Sequence, residues 1–172
     1  MTPYCTVATT WQGLSMEKLV RKLKKDHPGL LFSPGHSHCW SPEQGRISYE
    51  KPGKAHALEG LLHELGHARL DHRGYISDVE LLKKEVEAWE EAVSLAKTYK
   101  VNLDQDHMQD CLDTYRDWLY KRSTCPSCLG TGIQTDEQHY HCINCAQVWQ
   151  VTASRFCRPY RKSRSTENRK TG

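Results

Sequence analysis

The stretch His63-Glu64-Leu65-Gly66-His67 has the pattern H-E-x-x-H. On a helix, residues i and i+4 lie on one face about one turn apart, so both imidazoles can point at one ion. Glu64 lies beside this row, where its carboxylate can reach a water on that ion. Two nitrogen ligands and a carboxylate base are the arrangement of zinc-dependent peptidases. The pattern therefore predicts a catalytic metal site with His63 and His67 as ligands and Glu64 as general base.

The sequence around the motif predicts an α+β fold. Apolar residues at helical spacing indicate helices over about 15–27, 55–72, 78–100 and 104–120. The helix over 78–100 has a predicted core stripe of Leu82, Val86, Trp89, Val93 and Ala96. Short strands are predicted at 30–32, 38–40 and 46–49, the last two forming a hairpin. We therefore expect a small sheet, an active-site helix and further helices after it.

A catalytic zinc usually has a third protein ligand and keeps its fourth position for water. Four downstream residues are candidates for this ligand: Asp71, His72, Glu85 and Glu87. The metzincin pattern places a histidine six residues after the second histidine of the motif, where this chain has Arg73, so His72 is disfavoured. The two glutamates belong to the next predicted helix and are the better candidates, and spacing alone does not choose between them.

The motif, followed by Glu85-Val86-Glu87-Ala88, resembles the ImmA/IrrE metallopeptidases, whose signature is H-E-[LI]-G-H and then E-x-E-A. The resemblance covers 15–99, and Glu87 lies 20 residues past His67, the offset of thermolysin-like enzymes. It implies a zincin-like peptidase domain in which Glu87 is the third ligand and Glu85 the alternative. The family usually has asparagine where this chain has Trp89. The resemblance also implies a substrate class, the DNA-binding repressor proteins.

Four cysteines near the C-terminus form a second motif. Cys125 and Cys128 are followed by Cys142 and Cys145, in the spacing C-x2-C-x13-C-x2-C. Four thiolates can enclose a tetrahedral zinc with no open position, so this site is expected to be structural. The motif predicts a zinc ribbon in which the metal replaces a core that so short a segment cannot build. Two disulfides are the alternative, disfavoured in a chain without an export signal.

Composition and charge suggest where the protein works. The first residues contain no signal peptide, and no apolar run approaches the roughly 20 residues that span a bilayer, so a cytoplasmic protein is expected. The segment 153–172 contains seven basic residues and one acidic residue, against a net charge of +3 for the whole chain. We expect an arm over 1–14, a peptidase domain over 15–122, a ribbon over 123–153 and a basic, disordered tail over 154–172. The ribbon and the tail are candidates for nucleic-acid contact.

Three function hypotheses follow from these motifs. The first is a zinc metalloendopeptidase with one catalytic and one structural zinc, acting on a transcriptional regulator. The second is a DNA-associated protease similar to the SprT/Spartan group, which combines H-E-x-x-H with a ribbon but takes a third histidine, for which His107 is a poor match. The third is a catalytically inert, zinc-binding DNA-binding or adaptor protein. His72 and Tyr75 are candidate oxyanion donors, and the strand at 46–49 is the expected edge for an extended substrate.

Overall fold

The structure, a computed structural model, describes residues 15–152 and 161–163. In this part of the chain it contains four helices and two small sheets, which confirms the predicted α+β class. The helices are α1 (Met16–Asp26), α2 (Ala57–Arg69), α3 (Asp78–Tyr99) and α4 (Gln105–Ser123). The strands are β1 (Leu31–Gly35), β2 (Cys39–Ser41), β3 (Arg46–Glu50), β4 (Gly132–Gln134), β5 (His139–Cys142), β6 (Val148–Val151) and β7 (Arg161–Ser163). None of the described helices is long and apolar enough to cross a membrane.

Side chains placed before three of the helices determine where those helices begin. The hydroxyl of Ser15 accepts a hydrogen bond from the Lys18 backbone N–H at the start of α1. Ser77 caps α3 in the same way, and Asp104 caps α4 through its carboxylate. These side chains satisfy backbone donors that a helix start leaves without an intrahelical partner. Capping residues are local in sequence, which is why these starts could be predicted to within a residue or two.

The first sheet has the order β1-β3-β2, with β3 in the centre. β1 runs parallel to β3, and β2 pairs with β3 in the predicted antiparallel hairpin. The expectation that the strand at 46–49 offers a free edge is wrong, because both sides of β3 are already paired. Within this sheet, the edge strand that contacts α2 is β2.

The closest helix pair is α2 and α3, which cross at Gly66 and Ala88. A Cβ placed on Gly66 would lie 2.4 Å from the Ala88 carbonyl oxygen, so only glycine fits at this point of α2. The buried face of α3 includes three alanines, Ala88, Ala92 and Ala96, and it shares only Trp89 and Ala96 with the predicted stripe. That face consists of Leu81, Glu85, Ala88, Trp89, Ala92, Leu95, Ala96 and Tyr99. Leu82, Val86 and Val93, which the periodicity favoured, are only half-buried.

The C-terminal cysteine segment packs on the helical domain through a buried network of polar groups. Asp78 and Arg122 form an ion pair in which each side chain is 2% exposed, and the Tyr140 hydroxyl donates to Asp78 at 2.5 Å. Arg122 also donates to the carbonyl oxygens of Glu137 and Thr152. Burial and the hydrogen bond to the Asp78 carboxylate raise the pKa of Tyr140 well above its usual range, so the hydroxyl remains a donor. This network connects the start of α3 and the end of α4 to the second sheet.

Two of the predicted segments lie wholly or partly outside the described residues. The arm over 1–14 lies outside the described residues, as do 153–160 and 164–172. Within the tail predicted as disordered, residues 161–163 form β7, which pairs antiparallel with β6. The prediction of disorder is therefore wrong for these three residues, because their backbone extends the second sheet, which has the order β4-β5-β6-β7.

Gly66→Ala should destabilise the protein by about 1–3 kcal/mol, the usual cost of overpacking. Alanine favours a helix by about 1 kcal/mol over glycine, but the contact is with a backbone carbonyl that no side-chain rotation can relieve. Urea unfolding measures the change. Gly74→Ala is the matched control, since a Cβ there meets nothing within 4 Å. Equal stability of the two variants would contradict the close crossing.

Asp78→Ala should destabilise the protein by about 3–5 kcal/mol, because it leaves the Arg122 guanidinium buried without its carboxylate. Asp113→Ala removes an exposed ion pair with Arg116 and should cost less than about 1 kcal/mol. Denaturant unfolding of both variants, followed by Trp fluorescence, makes the comparison. A cost for Asp78→Ala as small as that of the control would show that the network does not stabilise the packing.

Candidate metal centre

The two histidines of the motif lie one turn apart on α2 and face α3. Their Nε2 atoms are 3.2 Å apart. The Glu85 carboxylate of α3 joins them, with Oε2 3.2 Å from Nε2 of His63 and 3.6 Å from Nε2 of His67. All three side chains are nearly buried, with 11%, 12% and 7% of their surface exposed. Three potential ligand atoms therefore converge on one point at the crossing of α2 and α3.

The spacing of these three atoms fits a tetrahedral metal. Zinc binds imidazole nitrogen and carboxylate oxygen at about 2.0–2.1 Å, so two ligands at the tetrahedral angle lie about 3.3–3.4 Å apart. The three separations of 3.2, 3.2 and 3.6 Å bracket this value. Burial would raise the pKa of Glu85, but its hydrogen bonds to His63 and His67 outweigh burial and lower it. The carboxylate is thus held as an anion, the form that binds a metal.

Glu87, the ligand that the family resemblance implied, does not join this group. Its carboxylate contacts Nε2 of His72 at 3.4 Å and the ammonium of Lys83 at 3.6 Å, and its side chain is 39% exposed. The assignment of Glu87 as third ligand is therefore corrected to Glu85, the alternative. The reason is helical phase, because Glu87 lies two residues, about 200° of rotation, from Glu85.

The positions of Ala88 and Trp89 on α3 indicate which glutamate faces the histidines, once the contact between α2 and α3 is known. Glu85 lies three residues before Ala88, the small residue at which α2 approaches, and four before Trp89. Residues at these spacings share one helix face. Trp89 stacks on His63, with ring centroids 4.4 Å apart. The glutamate on the face of Ala88 and Trp89 is therefore the one that can reach the histidines.

Glu64 lies where a general base is needed. It is half-buried beside the histidine pair and lines the same cleft. Burial raises the pKa of Glu64, and the nearby His63 and His67 and a hydrogen bond from the Trp40 backbone N–H partly offset that rise. A carboxylate with a raised pKa is a stronger base than an ordinary glutamate at neutral pH. The hydrogen bond also connects Glu64 to strand β2.

The cleft in front of these residues has a volume of about 340 Å³. Its lining includes His38, which precedes β2, Glu50 at the end of β3, and His107, Cys111 and Tyr115 of α4. Sequence reasoning missed His107 and Tyr115 as site residues, although their spacing at intervals of four places all three α4 residues on one face. Their contribution depends on how α4 packs, which no short motif encodes.

The two oxyanion donors suggested by proximity in sequence are not placed for that role. The cleft-lining residues described above include neither His72 nor Tyr75. His72 lies on the other side of the His67 ring, with the two Nδ1 atoms 2.9 Å apart. Tyr75 is 43% exposed. Any oxyanion donor from the cleft must therefore come from other lining residues.

A second group of potential ligands consists of His56, Glu59 and His107. The His56 and His107 rings stack with centroids 3.8 Å apart, and Nδ1 of His56 is 2.7 Å from Oε2 of Glu59. That distance is shorter than the roughly 3.3 Å expected between two ligands on one tetrahedral metal. It is the distance of a hydrogen bond. Because Glu59 also accepts from the Asp104 backbone N–H, the group connects α2 to the start of α4.

The four cysteines of the second motif form the other candidate metal site. Their Sγ atoms lie close together, with Cys125 to Cys145 at 3.6 Å and Cys128 to Cys142 at 3.5 Å. A disulfide would need about 2.05 Å, and zinc–thiolate bonds of about 2.3 Å predict roughly 3.8 Å, so the separations fit a shared metal. Hydrogen bonds from the backbone N–H of Gly130 and the side chain of Asn144 lower the pKa of Cys128 to about 6, which favours the thiolate.

These two sites supply chemically different environments. The histidine–glutamate group opens on a cleft and offers three potential ligands, whereas the cysteine group offers four thiols, enough to fill every position of a tetrahedral metal. Comparison with known proteins adds no relative, since no protein-family model, curated protein or solved structure matches the chain.

Glu85→Gln should remove one bound metal ion, whereas Glu87→Gln should not. We expect the unsubstituted chain and Glu87→Gln each to hold about two zinc ions after loading with excess zinc and desalting, and Glu85→Gln about one. The two variants make the same chemical change two residues apart on α3. Elemental analysis against protein concentration gives the stoichiometry. The reverse pattern would restore Glu87 as the ligand.

Proposed function

We propose that the protein is a metal-dependent peptidase with a zincin-like catalytic domain, and that its C-terminal cysteine segment is a zinc ribbon. The observation that carries this proposal is the convergence of His63, His67 and Glu85 at tetrahedral separations beside the carboxylate of Glu64. These three residues would hold the catalytic metal. When bound, that metal would act as a Lewis acid on the reacting oxygen atoms.

The chain's own groups perform the remaining chemistry. Glu64 takes the proton of the attacking water on its carboxylate and then passes it to the departing amine, so that one group serves as base and then as acid. The Trp40 backbone N–H, which donates to Glu64, orients the carboxylate toward the histidine pair. Trp89, stacked on His63, forms part of the wall that limits water access to the ligands.

The free edge of β2 is the surface that suits an extended substrate. β2 is an edge strand of the first sheet and contacts the motif helix. A peptide that adds to such an edge pairs through its backbone, which leaves its side chains to determine specificity. His38, the residue before β2, lines the cleft, so a peptide bound along this edge would pass beside Glu64. This placement supports an endopeptidase that accepts an internal segment of its substrate.

A transcriptional repressor remains the substrate class that we propose, on the basis of the resemblance to the ImmA/IrrE metallopeptidases. The SprT-like alternative is less well supported, because that group takes a third histidine. The nearest candidate, His107, stacks on His56. Trp89 separates His107 from His63, because its ring stacks on His63 and contacts His107 edge-on. The inert-adaptor alternative is disfavoured by the presence of Glu64 in the cleft.

Glu64→Gln should abolish proteolysis while the zinc content stays at the level of the unsubstituted chain, since the amide has no basicity but leaves the ligands untouched. Each protein would be incubated with an extract of the producing cells, and new N-termini would be identified by mass spectrometry. Elemental analysis on the same samples measures zinc. Termini that appear equally with Glu64→Gln would remove Glu64 from the mechanism.

The exposed pair Arg116 and Asp113 provides the matched control for this experiment. Asp113→Asn changes a carboxylate to an amide on α4 at an exposed residue that does not itself line the cleft, and should produce the same termini as the unsubstituted chain. If the unsubstituted, zinc-loaded chain produces no new termini, the peptidase proposal fails.

A further inference from the structure

His67 makes contacts through both of its ring nitrogens. Its Nε2 faces the other two candidate ligands, His63 and Glu85. Its Nδ1 lies 2.9 Å from Nδ1 of His72, and Nε2 of His72 lies 3.4 Å from Oε2 of Glu87. The contacts therefore run from the metal centre through two imidazoles to a carboxylate that is 39% exposed.

Metal binding at Nε2 of His67 would determine the position of every proton in the row of contacts formed by His67, His72 and Glu87. A ligating nitrogen presents its lone pair, so a neutral His67 must carry its proton on Nδ1 and donate it. Nδ1 of His72 must then accept, which places the proton of His72 on Nε2. That nitrogen faces the Glu87 carboxylate, which can only accept when ionised. A single tautomer of each histidine satisfies both contacts.

The backbone holds His72 in this place. After α2 ends, Asp71 adopts the left-handed conformation with φ of 48°, which turns the chain back under the helix. The His72 backbone N–H donates to the His67 carbonyl at 2.9 Å, and its carbonyl accepts from the Trp40 indole N–H at 2.9 Å. Left-handed geometry in a residue other than glycine costs about 1–2 kcal/mol, so it is retained where the surroundings require it. The His72 side chain is consequently 9% exposed.

His63 differs from His67 in this respect. Among the residues that the structure describes, Nδ1 of His63 is buried without a hydrogen-bond partner, and the ring is oriented by stacking on Trp89. The row of hydrogen bonds thus acts on one of the two histidines only. Partners of this kind orient a ligating imidazole and raise its basicity, and their loss typically costs about 10–100-fold in metal affinity.

We infer that His72 is a positioning residue for the metal ligand His67, and that Glu87 orients His72 in turn. This inference rests on the proposed metal site at His63, His67 and Glu85, but it goes further by assigning a role to residues that bind no metal. The imidazole of His72 supplies the acceptor that keeps the His67 ring in its ligating tautomer and rotamer. Glu87, which the family resemblance implied as a ligand, acts two hydrogen bonds away from the ion.

The test uses the full chain and Co²⁺ as the probe. One equivalent of Zn²⁺ first fills the cysteine site, and Co²⁺ is then titrated while its visible d–d absorption is recorded. His72→Leu keeps much of the volume but removes the acceptor, and should weaken Co²⁺ binding by about 10–100-fold. His72→Asn places an amide oxygen near the position of Nδ1 and should retain affinity within about fivefold of the unsubstituted chain. Rescue by asparagine separates an acceptor role from a packing role.

Two controls keep the comparison free of stability effects. Glu91→Gln removes an ion pair with Arg69 that also joins α3 to α2, but it leaves the row of hydrogen bonds intact, so Co²⁺ affinity should not change. Thermal unfolding of each variant without Co²⁺ shows whether His72→Leu still folds. If it does not, Glu87→Ala and His72→Asn carry the test: Glu87→Ala should weaken Co²⁺ binding and His72→Asn should not, and unchanged Co²⁺ affinity in Glu87→Ala would overturn the inference.

The outcomes distinguish failure of the positioning role of His72 from failure of the proposed metal site. A folded His72→Leu that binds Co²⁺ as tightly as the unsubstituted chain would overturn the positioning role while leaving the metal site in place. Equal losses for leucine and asparagine would do the same, since they would indicate a packing role. If the unsubstituted chain binds no Co²⁺ beyond the cysteine site, the proposed function itself fails, and the positioning role fails with it.

Discussion

The close crossing of α2 and α3 is the constraint on which the candidate metal centre depends. At Gly66 the helices approach until a Cβ would meet the Ala88 carbonyl, and this spacing brings Glu85 within 3.2 Å of His63. A larger residue at position 66 would separate the helices by roughly the size of a methyl group, and three ligand atoms could no longer reach one ion. Packing and chemistry therefore both depend on this glycine.

The same crossing places Glu87, His72 and Trp89 around the site. Helical rotation puts Trp89 against His63, and it turns Glu87 toward the segment that follows α2. One helix thus supplies a ligand, an aromatic wall and an outer carboxylate from positions within five residues of each other. Because Glu85 and Glu87 lie about 200° apart around α3, only one of the two carboxylates can face the histidines.

The buried ion pair of Asp78 and Arg122 provides a second connection, between the helical domain and the cysteine segment. Taking both charges out of water is costly, and the Tyr140 hydroxyl and two carbonyl oxygens supply the hydrogen bonds that offset this cost. Asp78 is the first residue of α3, the helix that also supplies Glu85. The cysteine segment is thus packed against the N-terminus of the helix that also carries the candidate ligand Glu85, about two turns further along.

Much of the fold was predictable because its signals are local. Capping residues such as Ser15 and Asp104 lie next to the helices they start, and the hairpin of β2 and β3 follows from its turn residues. The helical phase of α3 was not predictable from hydrophobicity, because its buried face uses small residues and a glutamate where aliphatic residues were expected. Likewise, the central position of β3 depends on its parallel pairing with β1, which a hairpin pattern does not reveal.

The sequence by itself determined the ligands that lie within one element or one short motif. His63, Glu64 and His67 share a helix turn, and the cysteine pairs Cys125/Cys128 and Cys142/Cys145 each lie within one tight turn, so backbone geometry alone brings these side chains together. The tertiary structure alone decided between Glu85 and Glu87. Both are acidic and lie on the same helix, and only the direction from which α2 packs, set by the absence of a side chain at Gly66, selects the carboxylate that faces the histidines.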